Sequence, residues 1–171
     1  MLSLTLSSLE STQLLGKWLG TALPHSGVEA IYLYGPLGCG KTTLTQALVK
    51  TLAGGENAEI ASPSFTIFHC YPTQPVTIHC DLYRCQQDLP EELLELFDAK
   101  ETLAIVEWAE FLPSLYRAGT CLDIYMKACE KHREIKIQAV GIQARKLCDN
   151  LASWCRTNNN GLITSNEFLK P

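Results

Sequence analysis

The segment Gly35-Pro36-Leu37-Gly38-Cys39-Gly40-Lys41-Thr42 matches the spacing G-x-x-x-x-G-K-[ST], which suits a loop that grips phosphate. Glycines let the backbone turn until successive N–H groups face inward, and the positive end of the helix that follows closes this anion nest. Lys41 supplies a point charge for the β- and γ-phosphates, and the Thr42 hydroxyl a ligand for the magnesium that bridges them. Thr43 is placed to hold an α-phosphate. The expected ligand is a nucleoside triphosphate with Mg2+.

Such a loop needs an acid at a neighbouring strand end and a group that orients the attacking nucleophile. Two apolar runs end in acids: Ile78-His79-Cys80-Asp81 and Ala104-Ile105-Val106-Glu107. In an open parallel sheet, side chains at the carboxyl ends converge on the crevice beside the loop, so either acid can reach the metal. The alternative is that one of them merely caps a loop. Thr66, after the turn Ser62-Pro63-Ser64, is placed to sense γ-phosphate as switch threonines do; an ordinary strand threonine fits the same pattern.

These residues need elements to carry them. Glu29 to Gly35 reads as a strand buried on both faces, and helical spacing runs from Lys41 to Ala53, stopping at Gly54-Gly55. Leu2, Leu4 and Leu6 alternate as a half-buried strand, and Ser7 with Glu10 forms a capping box ahead of a helix with an apolar stripe through Leu15, Trp18 and Leu19. Phe65–Tyr71 and Val76–Asp81 predict a hairpin, and Asp88, Pro90 and Glu91 a helix start whose buried face is Leu93, Leu94, Leu96 and Phe97. Thr102 to Trp108 is a further strand, followed by a short helix through Phe111, Leu112 and Leu115. Leu122–Ala128 and Arg133–Val140 alternate as a second hairpin, turning at Glu130-Lys131-His132, and Leu147, Cys148, Leu151, Trp154 and Cys155 mark the last helix. The expected fold class is α/β, P-loop NTPase-like, with a mostly parallel central sheet, antiparallel hairpins and helices on both faces. One domain over residues 1–171 is expected, and residues 158–171 carry no clear signal.

With 46% hydrophobic and 19% charged residues, the composition is that of a globular domain. A formal net charge of −4 disfavours direct gripping of nucleic acid, DNA included, because neutralising phosphates takes clustered Lys and Arg. The chain lacks a signal-peptide pattern and an apolar run long enough to span a membrane, so a cytoplasmic protein is expected. The eight cysteines read as reduced, mostly buried thiols. Zinc at His69-Cys70 and His79-Cys80 is disfavoured, because neighbours on a strand point to opposite faces and no C-x-x-C is present.

Four ordered motifs, Gly35-x-x-Gly38-x-Gly40-Lys41-Thr42-Thr43, Ser62-Pro63-Ser64-Phe65-Thr66, His79-x-Asp81-Leu82-Tyr83-Arg84 and Val106-Glu107-Trp108-x-Glu110, resemble the TsaE (YjeE) family over roughly residues 3 to 140. The resemblance implies a bacterial P-loop ATPase that works with the proteins TsaB and TsaD in making threonylcarbamoyladenosine in tRNA, with TsaD performing the transfer and the partners holding the tRNA. It further implies that Thr42 and Glu107 are magnesium ligands, that Asp81 orients or deprotonates the attacking water, and that Thr66 belongs to a switch-like segment. By the same resemblance Trp108 lies close to the site, Thr12 near the nucleotide base, and Arg133 against the nucleotide. Pro36, Cys39, Ser64 and Cys80 depart from the family's usual residues. A thiol at a helix N-terminus, as Cys39 would be, can have a lowered pKa and make the loop oxidation-sensitive; simple tolerance is the favoured reading.

A small-molecule kinase is the main rival, but kinases of this kind close an arginine-rich lid, and the five arginines at 84, 117, 133, 145 and 156 are scattered. A GTPase is disfavoured by the lack of an N-K-x-D motif. A third reading is a binding module whose ATP site sets affinity for a partner.

Overall fold

Four parallel strands carry the loop and both acids to one end of a single sheet. In the computed structural model, which describes residues 1–56, 58–63, 66–85, 89–97, 102–158 and 162–164, the chain runs β1 (Leu2–Leu6), α1 (Leu9–Ala22), β2 (Ala30–Tyr34), α2 (Lys41–Val49), β3 (Phe68–Tyr71), β4 (Val76–Asp81), α3 (Glu91–Phe97), β5 (Thr102–Glu107), β6 (Cys121–Ala128), β7 (Arg133–Val140), α4 (Ile142–Thr157) and β8 (Leu162–Thr164). The eight strands lie in the order β3-β4-β5-β2-β6-β7-β1-β8. Pairing is parallel across β4, β5, β2 and β6 and antiparallel toward both edges.

Burial explains why β2 reads as continuously apolar. Ile31 and Leu33 face the side covered by α1, α2 and α4, where they join Leu15, Leu19, Leu44, Leu48, Leu147 and Leu151. Ala30 and Tyr32 face the other side, with Cys80, Val106 and Leu93 of α3. Alternate residues of one strand are thus buried by different layers. No helix among the described residues is long and apolar enough to cross a membrane.

Several boundaries differ from the sequence expectation. The N-cap of α1 is Ser8, whose side chain accepts from the Ser11 N–H at 3.2 Å; Ser7 lies one residue too early. Helix α2 ends at Val49. Strand β3 begins at Phe68, because Thr66 and Ile67 both donate their N–H groups to the Pro63 carbonyl, and that turn precedes the ladder; Ser64, Phe65 and Asp88 lie outside the described residues. In place of a short helix after Trp108 there are two 3-10 turns, Ala109–Phe111 and Ser114–Tyr116. Pro113 separates them by holding Leu112 extended, with ψ 120°. The tail adds β8, which pairs with β1 through Leu4↔Thr164.

Candidate functional site

Register decides which side chains meet. Asp81 at the end of β4 pairs with Glu107 at the end of β5, and Glu107 in turn pairs with Leu33 of β2. The loop leaves β2 two residues later, so both acids stand beside it. Between them lies a cavity of about 300 Å³, lined by the loop from Leu37 to Thr43 except Cys39, by Asp81 and Glu107, and by Ser62, Tyr83, Trp108 and Arg133. A larger groove of about 950 Å³ opens at the opposite end, around Pro24, Thr51 and Gln74. It holds no loop of inward N–H groups, so chemistry rather than volume selects the smaller cavity.

The loop's shape depends on close backbone approach. Gly35 has φ 138°, and a Cβ there would lie 2.2 Å from the Met126 carbonyl oxygen, so only glycine lets the loop leave β2 against β6. At Gly38 a Cβ would meet nothing within 4 Å, which marks the open side of the nest. The Lys41 ammonium donates to the carbonyls of Gly35 at 2.7 Å and Pro36 at 3.1 Å, and sits 4.0 Å from the centre of the Trp108 ring. It is thereby held at the mouth of the loop by two dipoles and a π face. Trp108 reaches this position through a left-handed backbone, φ 58°, and stacks at a tilt on Tyr83 with centroids 4.7 Å apart.

Glu107 is fixed from two directions. Thr42 Oγ1 donates to Oε2 at 3.0 Å, and His79 Nε2 to Oε1 at 2.9 Å. The acceptor sets the histidine tautomer: Nε2 carries the proton. His79 is fully buried, and its Nδ1 has no hydrogen-bond partner among the described residues. A hydroxyl and a carboxylate, both hard oxygen donors, meet beside a phosphate loop, and that donor set fits Mg2+. Asp81 accepts from Ser62 Oγ at 2.5 Å and from the Tyr83 N–H at 3.1 Å, a pairing that holds its carboxyl toward the same cavity.

The structure therefore brings together Leu37, Gly38, Gly40, Lys41, Thr42, Thr43, Asp81, Glu107, Trp108 and Arg133, while Gly35, Pro36 and Cys39 lie in the loop but do not line the cavity. Arg133 also donates from Nε to the Cys39 carbonyl at 3.1 Å, tying β7 to the loop. Thr66 and Thr12 do not line the cavity. The Thr66 hydroxyl is 2.7 Å from His69 Nε2, and Thr12 is fully buried with its hydroxyl directed at the Ser8 carbonyl, 3.4 Å away. At Cys39 the structure sides with simple tolerance and against a lowered thiol pKa: the side chain is buried within the loop, and burial pushes the thiol up by more than the Lys41 charge draws it down. Sequence reasoning missed His79, Ser62 and Tyr83. For His79 a signal existed, since it stands two residues before Asp81 on the same strand and so shares its face.

Against known proteins, residues 6–135 match the family model described as threonylcarbamoyl adenosine biosynthesis protein TsaE. A TsaE protein of Nostoc sp. is 35% identical over 74% of this chain and 78% of its own length. One from Rickettsia felis is 37% identical over 66% of this chain, which spans 65% of that protein. A solved structure, YdiB of Bacillus subtilus, superposes with a TM-score of 0.67 at 26% identity, covering 92% of this chain and 99% of its own. With a phosphate loop, two strand-end acids and a family match that runs from β1 into β7, the chain belongs to the TsaE family, named for threonylcarbamoyl adenosine biosynthesis.

Proposed function

We propose that this chain binds ATP with Mg2+ and hydrolyses the β–γ phosphoanhydride in support of tRNA N6-threonylcarbamoyladenosine synthesis, in the cytoplasm, acting with TsaB and TsaD. The observation that carries the reading is the line His79–Glu107–Thr42 at the mouth of the loop, with Asp81 alongside. Magnesium, when bound, would neutralise charge on the triphosphate. The loop amides hold the phosphates, and Lys41, already at the loop mouth, turns its ammonium toward the γ-phosphate. Thr42 Oγ1 and Glu107 Oε2 would hold the metal, while His79 keeps the Glu107 carboxylate in place. Asp81 orients the attacking water and accepts its proton. Trp108 and Tyr83 wall the cavity against solvent, and Arg133 braces the loop. With a net charge of −4, contact with tRNA falls to the partners.

The test is ATP hydrolysis by the purified chain, alone and with TsaB, TsaD and tRNA, with small metabolites offered as phosphate acceptors. The expected result is slow hydrolysis that the partners accelerate. Phosphate appearing on a metabolite, with no stimulation, would assign the site to a kinase instead.

A further inference from the structure

The β6–β7 hairpin places a second set of ligating side chains outside the phosphate site. Cys129 and His132 close the hairpin across the two-residue turn Glu130-Lys131, with the Cys129 N–H donating to the His132 carbonyl at 2.8 Å. Residues facing each other across such a turn, and those two further along each strand, project on one side. Here that side carries Cys129 and Lys127 on one strand, and His132 and Glu134 on the other. Arg133, between His132 and Glu134, projects to the opposite side, where it reaches the Cys39 carbonyl.

The ligating atoms of Cys129, His132 and Glu134 all lie within 4.8 Å of one another, and His132 Nε2 is 3.7 Å from Glu134 Oε1. A tetrahedral zinc ion bound through sulfur, nitrogen and oxygen needs ligand separations of about 3.4 to 3.6 Å. The histidine–glutamate pair nearly has that spacing, and the thiol, within 4.8 Å of both, needs only a further short approach. The only ion pair that competes for the carboxylate runs, among the described residues, from Lys127 Nζ to Glu134 Oε2 at 4.0 Å, with 71% and 47% of the two side chains exposed. Such a pair is worth little and does not hold the carboxylate against a metal. One thiolate and one imidazole among three donors select a borderline-soft cation over magnesium or calcium.

We propose that this turn is a binding site for a zinc-class divalent cation, held by Cys129 Sγ, His132 Nε2 and the Glu134 carboxylate, with a fourth position left to water. The site is separate from the phosphate cavity and needs no nucleotide.

The experiment is titration of the EDTA-stripped chain with Co2+ and then Zn2+, without nucleotide, followed by absorption. One Co2+ per chain is expected, with a thiolate-to-cobalt charge-transfer band that Zn2+ abolishes by displacement at micromolar concentration. The Cys129→Ser variant should lose the band, and His132→Ala should bind far more weakly, whereas Cys70→Ser, which changes an exposed thiol elsewhere, should behave as the unaltered chain. Circular dichroism of each variant confirms folding, and two separate ligand variants guard against the failure of one. Absence of the band in the unaltered chain, its survival in Cys129→Ser, or its loss in Cys70→Ser overturns the proposal. Since the readout involves no ATP, a negative result leaves the ATPase reading intact, and failure of the ATPase reading leaves this site intact.

Discussion

Glu107 and Asp81 are neighbours in register yet are held by different partners, and that difference divides their roles. Glu107 accepts from the loop threonine and from buried His79, which under the proposed function orients its carboxylate for a metal. Asp81 accepts from Ser62 Oγ and from the Tyr83 N–H, contacts that aim its carboxylate into the cavity, where the proposed function has it take a proton from water. The Asp81→Asn variant keeps an oxygen for the Tyr83 N–H and should bind ATP almost normally, while turnover drops about 100-fold or more, the usual contribution of a general base. Normal turnover in that variant removes Asp81 from the chemistry. For His79, the readout is magnesium dependence. His79→Leu frees one side of Glu107 and should raise the magnesium concentration needed for half-maximal turnover about tenfold; His79→Gln, which can still donate to Oε1, should recover part of it. An unchanged magnesium profile in His79→Leu shows that the histidine serves packing alone. The acids were legible in the sequence because each ends an apolar run. The face of the histidine was legible too, two residues before Asp81, but its contact with Glu107 was not, because that depends on the parallel pairing of residues 28 apart in sequence.

At the scale of elements, the loop helix is positioned by α1. Gly16 lies where α1 crosses α2, and a Cβ there would stand 2.7 Å from both Ala47 Cβ and the Leu44 carbonyl oxygen. The helices approach so closely that nothing larger fits without displacing α2, and α2 begins at Lys41. Gly16→Val should therefore destabilise the fold by about 1–3 kcal/mol, the cost of overpacking, and weaken ATP binding as well, since the loop rides on α2. A urea midpoint and nucleotide titration on the same sample separate the effects; unchanged stability would mean that the crossing is loose. The central strands were legible because burial on both faces leaves a continuous apolar run. The edge strand β8 was not: Leu162-Ile163-Thr164 is three residues long, and its strand character comes from pairing with β1, which no local pattern encodes. The α1 cap was displaced by one residue because Ser7 and Ser8 are both capping types, and only the structure shows which one reaches the Ser11 N–H.

Over the whole molecule, the buried thiols make stability depend on alkaline pH. Cys39, Cys80, Cys121 and Cys155 are buried in the two layers that flank the sheet, and burial holds each thiol above its ordinary value of 9.0. Cys148 beside α4's core is pushed up to about 11, and the Tyr32 phenol to about 12, again by burial. The sign follows from where the protons sit. Below about pH 9 the thiols are protonated in both folded and unfolded chains, and no linkage arises. Above that, the unfolded chain releases protons that the folded chain retains, so stability is full at neutral pH and falls as pH rises toward the folded values. The urea midpoint at pH 10 should accordingly lie well below that at pH 7 in reducing buffer, and a conservative Cys80→Ala variant, which removes one of the fully buried thiols, should show a shallower alkaline decline. A midpoint that stays level from pH 7 to pH 10 would mean that the thiols ionise as easily inside the fold as outside it, and the layers around the sheet would then have to admit water.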